Sequence, residues 1–175
     1  MSLGLYLHIP YCFSKCRYCD FYSHPGERGV PEAYVDALLR ELSRFAPERP
    51  LQPDTLYFGG GTPSLLRPEQ AKRLIDAARP MPGAEITLEA NPETVTEESL
   101  AGFREAGVNR ISFGVQSARD TQLRTLGRPH TAKQARAAFA AAQRAGFTNI
   151  SGDIMLALPY LSLIHISEPT RLGMI

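Results

Sequence analysis

Apolar and polar positions along this chain fall into short β-rich runs separated by longer helical stripes. "LGLYLHI" (3–9) is an apolar run suited to a buried strand. "PEAYVDALLRELSRFA" (31–46) then places Tyr34, Val35, Leu38, Leu42 and Phe45 on one helical face, with Pro31 at its start. "DTLYFGGG" (54–61) predicts a second strand halted by glycines, and "RPEQAKRLIDAA" (67–78) a second helix opened by a proline. "AEITLEANP" (84–92) predicts strand three. "TEESLAGFREAG" (96–107) predicts helix three, with Thr96 as N-cap, acids in the first turn and Gly107 at the end. "NRISFGVQS" (109–117) is strand four, followed by a short helix near 119–126, an Ala-rich helix over 131–145, and strand five in "TNISGDIML" (148–156). "AGVNRIS" (106–112) recurs as "AGFTNIS" (145–151), each copy a helix-ending glycine running into a strand. Regular β-α alternation predicts an α/β fold with a parallel sheet, either open or curled into a barrel.

The alternation stops near residue 160. "LSLIHISEPTR" (161–171) matches the in-frame translation of a transposase-type sequencing adapter. Residues 161–175 are therefore expected to be a non-native tail, and His165 and Met174 are set aside as site candidates.

Composition narrows the class. A chain of 175 residues, 43% hydrophobic, is long enough for one domain with a sizeable core. A net charge of +1 with acids and bases intermixed argues against nucleic-acid or membrane-surface binding by bulk electrostatics. No apolar run approaches the roughly 20 residues of a membrane span. The N-terminus has neither the charged region nor the cleavage site of a secretory signal. An odd number of cysteines at metal-like spacing points to reduced thiols in the cytoplasm.

All three cysteines, Cys12, Cys16 and Cys19, stand in one C-x3-C-x2-C loop after strand one. By spacing alone they suit a zinc ion completed by His8 or His24, or an iron–sulfur cluster. The knuckle-like fourth ligand that zinc favours is missing and His8 falls inside the predicted strand, which favours the cluster. "GGGTPS" (59–64) lets backbone approach a ligand closely, although it matches neither a dinucleotide fingerprint nor a phosphate loop. Glu89 and Asn91 close strand three, Gln116 closes strand four and Asp153 lies near the end of strand five. Ligands of parallel α/β folds bind at the C-terminal ends of the strands. Arg128, after "TLG", can reach the same rim.

In their order, C-x3-C-x-aromatic-C, "GGGTPS", "LEANPE" and "GVQS" resemble the signature of radical S-adenosylmethionine (SAM) proteins. "LYLHIPYCFSKCRYCDFYSH", "RISFGVQS", "LGRPH" and "ISGDIMLALP" resemble the coproporphyrinogen III oxidase-like subfamily and, within it, the HemW-type heme chaperones. The resemblance covers about residues 3–160. It implies that 1–160 is the N-terminal part of a radical SAM core domain, a partial (β/α) barrel of parallel strands cut after about five. It implies a 4Fe–4S cluster on Cys12, Cys16 and Cys19, with SAM at the fourth position through its amino and carboxylate groups. Electron transfer to the sulfonium then gives methionine and a 5′-deoxyadenosyl radical, chemistry expected of the full-length parent. Tyr6 and Tyr18 would contact SAM beside the cluster, Gly60, Gly61 and Thr62 its methionine part, and Glu89, Gln116, Arg128 and Asp153 the rest.

The partners so implied are heme, heme-accepting proteins and an electron donor such as flavodoxin or ferredoxin. Two other readings stay open. Oxygen-independent coproporphyrinogen III dehydrogenases carry a further cysteine just after the third ligand, where this chain has Asp20 and Phe21. A non-catalytic Fe–S or zinc module is the other. No heme ligand is nominated, because the heme-binding features are expected beyond residue 160; His24 and His130 are expected to do local structural work.

Overall fold

The structure, a computed structural model, describes residues 2–25, 28–45 and 51–156. The 161–175 tail lies outside them. Five strands form one sheet: β1 (Gly4–Ile9), β4 (Thr55–Gly60), β5 (Glu85–Ala90), β6 (Arg110–Gln116) and β7 (Asn149–Ile154). They lie side by side in chain order and every pairing is parallel. Between them run α1 (Glu32–Phe45), α2 (Pro68–Ala78), α3 (Glu97–Ala106), α4 (Asp120–Leu126) and α5 (Ala132–Arg144). The predicted alternation is thus reproduced. Among the described residues no helix is long and apolar enough to cross a membrane.

The local signals act as read. Thr96 accepts the Ser99 N–H at 3.1 Å, and Gly107, at φ 113°, ends α3 in the left-handed region. Thr131 caps α5 in the same way, accepting from the Gln134 N–H at 3.2 Å. One expectation fails. Phe45 shares the angular position of Leu38 on α1 but is 76% exposed. It is the last residue of the helix, and among the described residues no neighbour covers it.

A second, two-residue parallel ladder was not foreseen: β2 (Tyr11–Cys12) pairs with β3 (His24–Pro25). Two residues carry no periodicity from which a strand can be read.

Alternation along the strands separates the sheet's two faces. Leu7, Ile9, Leu56, Phe58, Ile86, Leu88, Ile111, Phe113 and Val115 belong to one continuous buried cluster that the helices cover. Helices α1, α2, α3 and α5 pack in that order over this face. The other face is polar and in register. Tyr6, Tyr57, Thr87 and Arg110 form one row, and Glu89, Ser112 and Ser151 the next row towards the C-terminal ends.

Core position decides the cost of truncation. Phe103→Ala empties a fully buried site and is expected to lower unfolding stability by about 3–5 kcal/mol. Phe45→Ala is expected to change it by less than about 0.5 kcal/mol. Urea denaturation of both variants checks the contrast.

Candidate functional site

The loop from Cys12 to Ser23 hangs from the end of β1 and is tied down at three points. The β2–β3 ladder and the bond from His24 N–H to the Pro10 carbonyl (2.6 Å) close its base. The Arg17 N–H donates to the Leu126 carbonyl at 3.1 Å, fastening its middle to the end of α4. A turn closes between the last two cysteines, with the Cys19 N–H on the Cys16 carbonyl at 3.2 Å. All three cysteines are free thiols.

The loop lies over the C-terminal ends of β4, β5, β6 and β7 and encloses with them a cavity of about 160 Å³. Cys12, Cys16, Cys19, Tyr18, Gly60, Gly61, Thr62, Glu89, Gln116, Arg128 and Asp153 all line it. Tyr6 does not. Its ring stacks on Tyr57, with centroids 6.0 Å apart, and its hydroxyl meets His8 Nδ1 at 3.2 Å. Gly61 sits where loop and sheet touch: a Cβ there would fall 2.7 Å from the Tyr11 carbonyl and 2.9 Å from Cys12 Sγ. Gln116 leaves β6 at φ 64°, a conformation costing about 1 kcal/mol for a residue with a Cβ, beside an irregularity in the β6–β7 register. There its side chain faces the cavity.

The donor set suits an iron–sulfur cluster. Three thiols of one loop line one cavity, and hydrogen bonds already reach two of them: Arg128 Nη1 to Cys16 Sγ (3.3 Å) and Thr62 Oγ1 to Cys12 Sγ (3.6 Å). Arg128 is 9% exposed, and its Nε is buried with no partner among the described residues. Burial opposes its charge. The hydrogen bond and attraction of Cys16, with Tyr18 and Glu93, outweigh that and hold its pKa above the ordinary value. Burial also lifts the Tyr18 hydroxyl to about 12 against the pull of Arg128, with Cys16 adding to the rise. Tyr18 therefore stays neutral at physiological pH.

The histidines that zinc would need are engaged elsewhere. His8 Nε2 meets the Tyr22 carbonyl and His24 Nε2 the Tyr22 hydroxyl, each at 3.2 Å. Among the described residues no three His, Cys, Asp or Glu side chains converge as ligands of a single ion. His130, buried, places Nδ1 on Glu93 and Nε2 on the Val115 carbonyl, both at 3.1 Å. Both of its ring nitrogens are thus engaged within the protein.

Tyr57 and Ser112 were not singled out from the sequence. Tyr57 donates to Glu89 Oε1 at 2.7 Å, and the Gly60 N–H approaches Oε2 at 3.3 Å. Ser112 donates to Asp153 at 3.3 Å. Strict alternation was the available signal: Tyr57 and Gly59 share one face of β4, and Ser112 that of Gly114 on β6. Burial, then the neighbouring Asp153, raise the pKa of Glu89, while Tyr57, Gly60 and His8 offset this only in part. A carboxyl whose folded pKa lies above its unfolded value of about 4.3 contributes most below that value, and the contribution is lost as pH rises through the folded pKa. Glu89→Gln is therefore expected to be more stable than the parent at neutral pH, with the difference vanishing below about pH 4. Urea midpoints across a pH series measure it.

The family model for the radical SAM superfamily matches residues 6–168. The chain is 43% identical over 169 residues to the heme chaperone HemW of Escherichia coli K12, covering 92% of this chain and 44% of that protein. It is 40% identical over 170 residues to HemW of Bacillus subtilis, covering 93% and 45%. The mitochondrial radical S-adenosyl methionine domain-containing protein 1 of Bos taurus is 42% identical over 164 residues, covering 89% and 36%. The chain thus spans less than half the length of these relatives. Among solved structures, coproporphyrinogen III oxidase (HemN) from Escherichia coli, a radical SAM enzyme, superposes with a TM-score of 0.81 at 30% identity, covering 94% of this chain and 39% of that one. The hydrogenase maturase HydG shares the fold at 15% identity, with a TM-score of 0.63 over 89% of this chain and 35% of its own. The five parallel strands and their helices are a partial barrel of this fold, and the chain belongs to the radical SAM superfamily.

Proposed function

We propose that this chain carries the cluster- and SAM-binding core of a cytoplasmic radical SAM heme chaperone, which binds heme and hands it to acceptor proteins. The observation that carries the reading is that three thiols of one loop, a glycine turn and polar strand ends all line one cavity. Cys12, Cys16 and Cys19 would hold a 4Fe–4S cluster, which would supply one-electron reduction of the SAM sulfonium, with a flavodoxin or ferredoxin as the electron source.

The chain's own residues position the ligand. Gly60, Gly61 and Thr62 offer unobstructed backbone and a hydroxyl to the methionine part. Glu89, Gln116, Arg128 and Asp153 bind the remainder, the two carboxylates as acceptors and Arg128 as donor. Tyr18 borders the cluster, and Tyr6 flanks the site from β1. A buried cation at the thiols offsets the negative charge of a thiolate-bound cluster.

Two observations favour a chaperone over a porphyrinogen-oxidising enzyme. Asp20 and Phe21 follow Cys19, with no further thiol. Identity to curated HemW proteins reaches 43%, against 30% to HemN. The heme ligands lie beyond residue 160 in this reading.

The test is anaerobic reconstitution of the full-length protein with iron and sulfide. It is expected to yield a 4Fe–4S EPR signal that shifts on adding SAM, and Cys16→Ala is expected to abolish it. Stoichiometric zinc without a brown chromophore would refute the cluster. Heme binding without decarboxylation of coproporphyrinogen III is expected; formation of vinyl product would reverse the assignment in favour of the dehydrogenase.

A further inference from the structure

Asn91 has no role in the assignments above, yet its side chain joins both hydrogen-bonded cysteines. Arg128 Nη2 donates to Asn91 Oδ1 at 2.6 Å. Asn91 Nδ2 donates to Thr62 Oγ1 at 3.1 Å. From these two contacts a chain runs outward, through Arg128 Nη1 to Cys16 Sγ and through Thr62 Oγ1 to Cys12 Sγ.

Donor–acceptor chemistry leaves one direction for this chain. A guanidinium only donates, so the Asn91 atom facing it must be the carbonyl oxygen. The amide nitrogen then faces Thr62, whose oxygen must accept. The Thr62 proton is left free, and Cys12 Sγ is the acceptor at hand. The terminal donors, Arg128 Nη1 and Thr62 Oγ1, therefore each aim a hydrogen at a cysteine sulfur, while Arg128 Nη2 donates back to the Asn91 carbonyl that holds it. Gly114 shows how closely the parts fit: a Cβ there would lie 2.9 Å from Arg128 Nη2 and 3.0 Å from Asn91 Oδ1. The Gly114 carbonyl also accepts from Arg128 Nη2.

We infer that Asn91 is a positioning residue that aims the Arg128 guanidinium and the Thr62 hydroxyl at Cys16 and Cys12, and so raises the reduction potential of the cluster they hold. The inference rests on the cluster reading above. Hydrogen bonds to the ligating sulfurs stabilise the more negative, reduced cluster, and their loss lowers its potential. Without the Asn91 amide, the Thr62 proton is no longer confined to Cys12 and the guanidinium loses one of its fixed acceptors.

The experiment is an EPR-monitored redox titration of reconstituted full-length protein without SAM, in the parent, Asn91→Ala, Thr62→Val and the double variant. Iron content and the melting temperature of the cluster-free form are measured alongside. Each single variant is expected to move the midpoint to more negative potential. A tenfold change in the reduced-to-oxidised ratio, or about 59 mV, is the upper end. Asn91→Ala is expected to add clearly less on the Thr62→Val background than on the parent, because part of its effect passes through the Thr62 hydroxyl.

An unchanged midpoint at full iron content, or fully additive shifts, would overturn the inference. Should Asn91→Ala lose iron, an unchanged melting temperature of the cluster-free form supports the positioning role, and a parallel fall overturns it. A parent that takes up no cluster overturns the cluster reading itself, a result distinct from any of these.

Discussion

Parallel pairing in chain order is the constraint on which the rest of this structure depends. Strands that all run one way must be joined by crossovers, and here α1, α2, α3 and α5 lie over a single face of the sheet. Two consequences follow. One face becomes a continuous apolar core. All C-terminal strand ends arrive at one rim, so residues far apart in the chain, such as Gly60, Glu89, Gln116 and Asp153, border the same cavity without any local signal linking them. The cysteine loop follows β1 and is lashed to the far side of that rim through Arg17 and Leu126.

Stability and chemistry are divided between the two faces. The helix-facing side is built from Leu, Ile, Val and Phe in ordinary strand and helix positions. The other side carries the local costs: a carboxyl lifted by burial at Glu89, a left-handed Gln116 and the desolvation of Arg128, a residue only 9% exposed. Each is unfavourable where it stands, and each borders the cavity. Local rules broken together at one place, on a fold otherwise consistent with them, single out this cavity as the candidate functional site.

Much of this was legible in the chain. The strands and helices follow from hydrophobic period, and the caps at Thr96 and Gly107 from residue type. Glu89, Asn91, Gln116 and Asp153 border one cavity where the strand-end rule puts them, whereas Tyr6 does not line it. Other features had no signature to read. The β2–β3 ladder is too short for periodicity. Phe45 has the right angular position but, among the described residues, no covering neighbour. Tyr6 stacks on Tyr57 because β1 and β4 pair in that register, which residue spacing does not state.

What the sequence by itself determined is therefore the order of elements, the identity of the thiol loop and the residue types delivered to the strand ends. All of these depend on interactions within a few residues. Only the tertiary structure decided which polar groups face one another: Tyr57 on Glu89, Arg128 on Cys16, and Asn91 between Arg128 and Thr62. Hydrogen bonds are directional and act over about 3 Å, so their partners exist only once register and loop anchoring have set the atoms in place.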